Sequence, residues 1–310
     1  KEEDSLDTWV GELYLELHRG TLTTHGLVKK QNRKLEWKLR AVEMLWSCID
    51  LGKYPAKELD ALWKKLLINQ FHDIIPGSSI NLVYQTTHKE YEEIHQGCDD
   101  LINQSAKILF QQDKNAFVLM NSLSYQWEGM VTLPESFNGY EILNENGESL
   151  KVQTVEGNAE AFVSLSPLSL SSFKKGEQCN PGVSAEGSLV LENELIRYEF
   201  SDKGKMVSAF DKEVGREVLE GIGNVLSLYE DRPNNWDAWD IDFFYRDALL
   251  ETADVSSKSS GSKGSISKQI DFTFKIGVSK IVQKIVLQPA SKRIDFQTKV
   301  DWKEKHKMLR

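Results

Sequence analysis

The sequence has few cysteines, no long apolar run and no excess of positive charge, and each shortage excludes a class of protein. The chain has three cysteines, Cys48, Cys98 and Cys179. Their odd number and wide spacing fit neither a disulfide framework nor a zinc ribbon. No apolar run reaches the length of a membrane span, and no segment resembles a signal peptide, although the sequence begins at Lys1 without a methionine. We therefore expect a reducing, cytoplasmic location and no membrane partner.

The charge balance argues against a nucleic-acid partner. The chain has 47 acidic residues against 38 lysines and arginines, a formal net charge of -9, which would repel a phosphate backbone. Hydrophobic residues make up 40% and charged residues 27%, an ordinary composition for a globular protein that buries a sizeable core. A length of 310 residues predicts two or three domains.

Signatures of catalysis are also scarce. The sequence has no HxH, HExxH or CxxC metal motif, no phosphate-binding loop and no local motif of a Ser or Cys nucleophile. A carboxylate pair for glycoside hydrolysis cannot be found from spacing, because its members converge in space rather than in sequence. No residue of this chain is therefore predicted to be the nucleophile or the general acid.

Periodicity divides the chain into an α and a β part. Apolar residues at three- and four-residue steps predict helices over about residues 26–51, 55–71 and 80–109, joined by short connections. Beyond residue 115, short runs of alternating apolar residues predict strands, with a hairpin turn at residues 202–204 and an exposed Ser/Gly/Lys loop at residues 256–265.

We therefore predict an α+β, multidomain fold. An antiparallel three-helix bundle is expected over residues 26–114, followed by an all-β, sandwich-like region over residues 115–310.

The most distinctive local segment, residues 69–78, carries His72 and Asp73 at the junction of the second and third helices. A neutral imidazole is a good zinc ligand, and an adjacent carboxylate can orient it or hold a sugar hydroxyl. A structural alternative is open, since the helix dipole favours His in a last turn and Asp is common before a turn. One His cannot hold zinc by itself, because zinc takes about three or four protein ligands.

Two further segments combine polar and aromatic residues. Residues 12–24 include His18 and Arg19, which could line a polar pocket or form the solvated face of an extended segment. Residues 229–242 interleave Trp236 and Trp239 with aspartates. Tryptophan faces stack on sugar rings and carboxylates accept hydrogen bonds from hydroxyls, but the same residues could fill a domain interface.

Taken in order, these segments resemble glycoside hydrolase family 38, the zinc-dependent retaining α-mannosidases. The stretches GELYLELHRGTLTT, NRKLEWKLRAVEML and LLINQFHDIIPGSSI are similar to the middle region of that family. The stretch GREVLEGIGNVLSLYEDRPNNWDAWDID is similar to the C-terminal β-region of its bacterial and cytosolic branch.

The resemblance implies hydrolysis of α-mannosides or mannose-containing oligosaccharides through a covalent glycosyl-enzyme, with zinc as cofactor bound to the 2- and 3-hydroxyls of the sugar. By match to the family's motif, His72 would be a zinc ligand and Asp73 would contact the mannose. His18 and Arg19 would border the sugar site, and Trp239 would stack on the sugar.

In the family, the remaining zinc ligands, the nucleophile and the general acid come from an N-terminal α/β barrel. We expect residues 1–25 to be a lead-in from that barrel, which is missing from this chain, and we expect the chain alone to be inactive. Two alternatives are a non-catalytic carbohydrate-binding or scaffold protein, and an interaction module that uses the tryptophan-rich segment as an interface.

Overall fold

A computed structural model describes residues 7–10, 18–179, 188–259 and 266–310 of the chain. Three α-helices form where the apolar stripes occur: α1 (Gly26–Ser47), α2 (Ala56–Asn69) and α3 (Asn81–Leu109). Each helix buries one face in a common apolar core, because a 3.6-residue period places its apolar side chains on one side. The fully buried members of this core include Val28, Leu35, Leu39, Val42, Leu66 and Ile94.

The β part of the described residues consists of short antiparallel strands. Their bounds are β1 (Ala116–Asn121), β2 (Trp127–Thr132), β3 (Tyr140–Leu143), β4 (Val152–Val155), β5 (Asn158–Leu165), β6 (Ser169–Gln178), β7 (Val190–Glu192), β8 (Ile196–Phe200), β9 (Met206–Asp211), β10 (Arg216–Glu217), β11 (Ser227–Glu230), β12 (Leu249–Thr252), β13 (Asp254–Ser259), β14 (Lys268–Ile276), β15 (Ser279–Leu287), β16 (Ile294–Asp301) and β17 (Lys307–Leu309). They form sheets in the orders β1-β6-β3, β2-β5-β4, β10-β9-β8-β7, β12-β11-β17 and β13-β14-β15-β16.

These strands enclose two separate apolar cores. The first lies among β2, β3, β5 and β6 and includes Ile142, Ala161 and Phe173. The second lies among β7, β8, β14 and β15, where the alternating residues of β14 all face inward. Gln153 of β4, which is fully buried, accepts hydrogen bonds from the backbone N–H groups of Ile266 and Ser267 at 2.9 and 3.1 Å and so connects the two parts.

The chain divides into two compact units that do not follow the order of the sequence. One unit consists of the described residues of Lys1–Gln111 together with Asp231–Arg246, and the other of those of Gln112–Glu230 and Asp247–Arg310. Residues 231–242 of the tryptophan-rich segment therefore belong to the helical unit, although they lie between β11 and β12 in the sequence.

The predicted architecture, an antiparallel three-helix bundle followed by one all-β sandwich-like region, is wrong. The helical unit does not simply precede a β region, since it is completed by residues 231–246. The β part has two cores and, in the described residues, five sheets rather than one facing pair. Periodicity shows which face of a segment is buried, but it does not show which other segment covers that face.

Local predictions met with mixed results. The hairpin at residues 202–204 is confirmed, because β8 and β9 pair antiparallel around it with Ile196 opposite Asp211. The first helix is shorter than predicted, since α1 ends at Ser47. The predicted loop at residues 256–265 is wrong where it overlaps β13, and its residues 260–265 lie outside the described residues. None of the helices in the described part of the chain is long and apolar enough to cross a membrane.

Two adjacent leucines of α2 test the helical core. Leu66 has no exposed surface and Leu67 is 56% exposed. Leu66→Ala is expected to lower the free energy of unfolding by about 2–5 kcal/mol, because it leaves a cavity. Leu67→Ala is expected to change it by less than about 0.5 kcal/mol. Urea denaturation followed by far-ultraviolet circular dichroism measures both, and equal losses would contradict the assigned helix face.

Candidate functional site

His72 and Asp73 lie in the tight turn that follows α2. The backbone N–H groups of Ile74 and Ile75 both donate to the carbonyl of Phe71, at 2.8 and 3.1 Å, which reverses the chain before α3. The side chain of His72 is 75% exposed and that of Asp73 is 46% exposed, with Nε2 and Oδ2 3.7 Å apart. The imidazole is therefore accessible to a ligand, and it lies beside a carboxylate without a close hydrogen bond to it.

The start of α3 anchors the far end of this turn. The carbonyl of Asp73 accepts hydrogen bonds from Ser79 Oγ at 2.7 Å and from the hydroxyl of Tyr84 at 3.3 Å. The same tyrosine oxygen accepts from the backbone N–H of Ser79 at 2.9 Å. Tyr84 is buried, so the backbone of Asp73 is held against a rigid aromatic group while its carboxylate stays half-exposed.

The ring of His25 supports Tyr84 from the other side. The two rings are stacked, with centroids 3.9 Å apart and planes inclined by 18°. Burial lowers the pKa of His25, and the positive charges of Lys29 and His88 lower it further. His25 is thus favoured as a neutral ring, and in that form it stacks on Tyr84.

His18 and Trp239 are brought into contact from distant parts of the sequence. Their ring centroids are 5.1 Å apart in an edge-to-face arrangement. The backbone N–H of Gly20 donates to the carbonyl of Trp239 at 2.8 Å, and a Cβ on Gly20 would lie 3.0 Å from the backbone of Trp239. A glycine therefore suits the position where the two segments cross, because a side chain there would push the two backbones apart. Arg19, between His18 and Gly20, is half-buried.

The His72–Asp73 turn and the His18–Trp239 crossing are both hydrogen-bonded to residues at the N-terminal end of α1. The hydroxyl oxygen of Thr24 lies 2.8 Å from the carbonyl of Gly20 and 3.0 Å from that of Ala238, so its single O–H is shared between the two sides of the His18–Trp239 crossing. Lys29 donates to the carbonyl of Thr24 and to those of Ile75 and Pro76. No pattern in the sequence pointed to Thr24 or Lys29, because a Thr before a helix and a Lys on a helix are usually solvated.

Within the tryptophan-rich segment, the two indoles have different surroundings. Trp239 is half-buried and packs edge-on against His18. Trp236 is 65% exposed and has a left-handed backbone with φ of 59°, and its carbonyl accepts from the N–H groups of Trp239 and Asp240 at 2.7 and 2.9 Å. Residues in this conformation store strain of about 1–3 kcal/mol and are frequent at functional sites. Trp236 therefore has the more accessible aromatic face.

The described residues do not form a complete zinc site. Across the parts of the chain that the structure describes, no group of three or more His, Cys, Asp or Glu side chains could hold a metal ion. Because zinc takes about three or four protein ligands, His72 and Asp73 cannot bind it alone with a full coordination shell.

Comparison with known proteins agrees with this division into a helical and a β part. The family model for the alpha mannosidase middle domain matches residues 16–109, and that for the C-terminal domain of glycosyl hydrolases family 38 matches residues 191–310. These matches define the class as glycoside hydrolases. The chain belongs to glycosyl hydrolase family 38.

Its relatives are much longer than the chain. Alpha-mannosidase 2C1 of Homo sapiens is 32% identical over 320 residues, covering 100% of this chain and 30% of the relative. Alpha-mannosidase G of Dictyostelium discoideum is 29% identical, covering 98% of this chain and 32% of the relative. A crystal structure of an alpha-mannosidase from Enterococcus faecalis V583 aligns with a TM-score of 0.70 at 18% identity, over 94% of this chain and 42% of that one, which shows likeness of fold alone.

Gly77 provides a test of the turn. Its φ is 103°, and a Cβ there would lie 2.6 Å from Cγ2 of Thr24. Gly77→Ala is expected to cost about 2 kcal/mol or more in the free energy of unfolding, because backbone strain and a steric clash add. Gly26→Ala is the control, since its Cβ would meet no atom within 4 Å. Thermal or urea denaturation measures both, and equal stability of the two variants would refute this turn geometry.

Proposed function

We propose that this chain is part of a zinc-dependent α-mannosidase that hydrolyses α-mannosides with retention, and that it contributes His72 and Asp73 to the active site. The observation that carries the proposal is the exposed His–Asp pair in a rigidly anchored turn, within the segment matched by the alpha mannosidase middle domain. The names of the relatives support the substrate class.

Each proposed role follows from the surroundings of the side chain. The accessible imidazole of His72 offers a nitrogen lone pair to zinc when the ring is neutral. Asp73 keeps its carboxylate half-exposed, so it can accept hydrogen bonds from a sugar hydroxyl. When bound, zinc would act as a Lewis acid and fix the orientation of the sugar hydroxyls.

His18, Arg19 and Trp239 are proposed to border the sugar. The support is their position at one crossing, which Thr24 and Lys29 tie to the His72 turn. Trp236 is added to this set because its indole is more exposed than that of Trp239 and is therefore freer to stack on a pyranose ring.

The rest of the active site is proposed to lie outside these 310 residues, in an α/β barrel for which residues 1–25 are the lead-in. The support is the incomplete ligand set among the described residues and the length of the curated relatives, of which the chain spans about 30%. The cytoplasmic location and the bacterial and cytosolic branch stay predictions.

Replacement of His72 tests the zinc assignment in the full-length protein that contains this chain. His72→Ala is expected to lower zinc affinity by about 100-fold or more, since the loss of an outer-shell partner alone costs about 10- to 100-fold, and to lower α-mannoside hydrolysis in parallel. The measurements are bound zinc per chain by atomic emission and release of nitrophenol from an α-mannoside.

His306→Asn is the matched control, because His306 is exposed in the other unit and Asn tolerates its left-handed φ of 54°. Full zinc content and full activity in His72→Ala would refute the ligand assignment. Glycan binding that is independent of zinc, together with no hydrolysis by the full-length protein, would instead favour the non-catalytic carbohydrate-binding function.

The isolated chain provides a second test. These 310 residues alone are expected to fold but to give no turnover of an α-mannoside above a heat-denatured control, because they lack a full ligand set in the described residues. Steady hydrolysis that co-purifies with the chain and is lost in His72→Ala would contradict this expectation.

A further inference from the structure

We propose that Lys29 is a positioning residue that fixes the His72–Asp73 turn relative to the His18–Trp239 crossing. This inference rests on the proposed function, since it concerns how the residues of that site are held. The role proposed for Lys29 is neither that of a metal ligand nor that of a substrate-binding group.

The geometry of the ammonium group carries the inference. Nζ of Lys29 lies 2.5 Å from the carbonyl oxygen of Thr24, 2.7 Å from that of Ile75 and 3.1 Å from that of Pro76. An ammonium has three N–H donors, so each can reach one of these three carbonyls. Two of the acceptors belong to the turn that carries His72, and the third belongs to the segment that contacts Ala238.

A positively charged donor suits this position. The carbonyls of Ile75 and Pro76 lie between α2 and α3 and have no helical partners, and charge-assisted hydrogen bonds to such groups are about twice as strong as neutral ones. Lys29 is half-buried, and this partial burial lowers the pKa of its ammonium group. An ammonium that is partly withdrawn from water needs its carbonyl acceptors in place of water. These hydrogen bonds therefore hold Lys29 against the turn.

The turn is consequently held at both ends. On one side the hydroxyl of Tyr84 lies 3.3 Å from the carbonyls of both Asp73 and Ile74, which share its single O–H. On the other side Lys29 donates to the carbonyls of Ile75 and Pro76. The contact through Lys29 also joins the turn to Thr24. Loss of this contact is expected to let the turn move against the crossing, while Tyr84 keeps it attached to α3.

The first experiment measures the turn without using activity. Hydrogen exchange followed by mass spectrometry is performed on the isolated chain for wild type, Lys29→Met and Lys30→Met. Lys30 is the next residue on α1 and is exposed. Peptides over residues 71–80 are expected to exchange at least about tenfold faster in Lys29→Met, because the turn opens more often once its ammonium contact is lost. Peptides from the middle of α3 should be unchanged, and Lys30→Met should behave as wild type.

The second experiment measures function in the full-length protein. Lys29→Met is expected to lower kcat for an α-mannoside by about tenfold to 100-fold, because misplacement of a reacting geometry by about 1 Å costs up to about 100-fold. Val42→Ala, a core change in α1, is the stability control: it should lower Tm by a similar amount and leave kcat unchanged. Retention of kcat in Lys29→Met would overturn the proposal.

If Lys29→Met does not fold, Lys29→Gln replaces it. Its shorter amide has no charge and only two donors for the three carbonyls, so faster exchange over residues 71–80 is again expected. Exchange over residues 71–80 in Lys29→Gln identical to that in Lys30→Met would overturn the positioning role. The proposed function fails separately: if His72→Ala keeps its zinc and activity while Lys29→Met loosens the turn, the contact through Lys29 exists but does not serve a zinc site.

Discussion

The helical unit depends on one constraint, namely that each of its three helices has a single apolar stripe that must be buried against the other two. Leu35, Leu66 and Ile94, one from each helix, all lose their exposed surface in this core. Burial of Leu59 and Leu66 in the core fixes the orientation of α2. The chain must therefore reverse within a few residues after Asn69 for α3 to pack on the same core. The His72 side chain is exposed as a result of that reversal.

Polar contacts then give the turn its detailed shape. The apolar core places α2 and α3 but leaves the backbone groups of residues 73–76 to be satisfied individually, since each unpaired polar group would cost free energy. Tyr84 and Lys29 meet this need from two helices. The site proposed for His72 and Asp73 would benefit from such support, because loose ligands lose affinity.

The helical periodicity was sufficient to locate the three helices to within a few residues, and the alternation of apolar residues indicated the β character of the chain beyond residue 115. Neither pattern predicted that the tryptophan-rich segment would leave the β part to join the helical unit. That choice depends on a close approach between Gly20 and Trp239, where the absence of a side chain on one residue lets two backbones meet. A contact between residues so distant in sequence leaves no periodic trace.

The same limit explains why one sandwich was expected where two cores exist. Strand patterns define an inward and an outward face, but they do not show whether the inward residues pack into one core or into two. Likewise, His72 and Asp73 could be named as candidates from a motif, whereas their exposure, their anchoring and their connection to His18 came only from the fold.

What the sequence by itself determined was the identity and approximate extent of the helices and the β character of the remainder, because these depend on local periodicity. The candidate site residues came from the resemblance to a family. Only the tertiary structure decided which segments complete the helical unit, how many cores the β part has and that Lys29 joins the turn to the crossing. The physical reason is that packing and hydrogen bonding between distant segments depend on three-dimensional distance, which a linear order of residues does not contain.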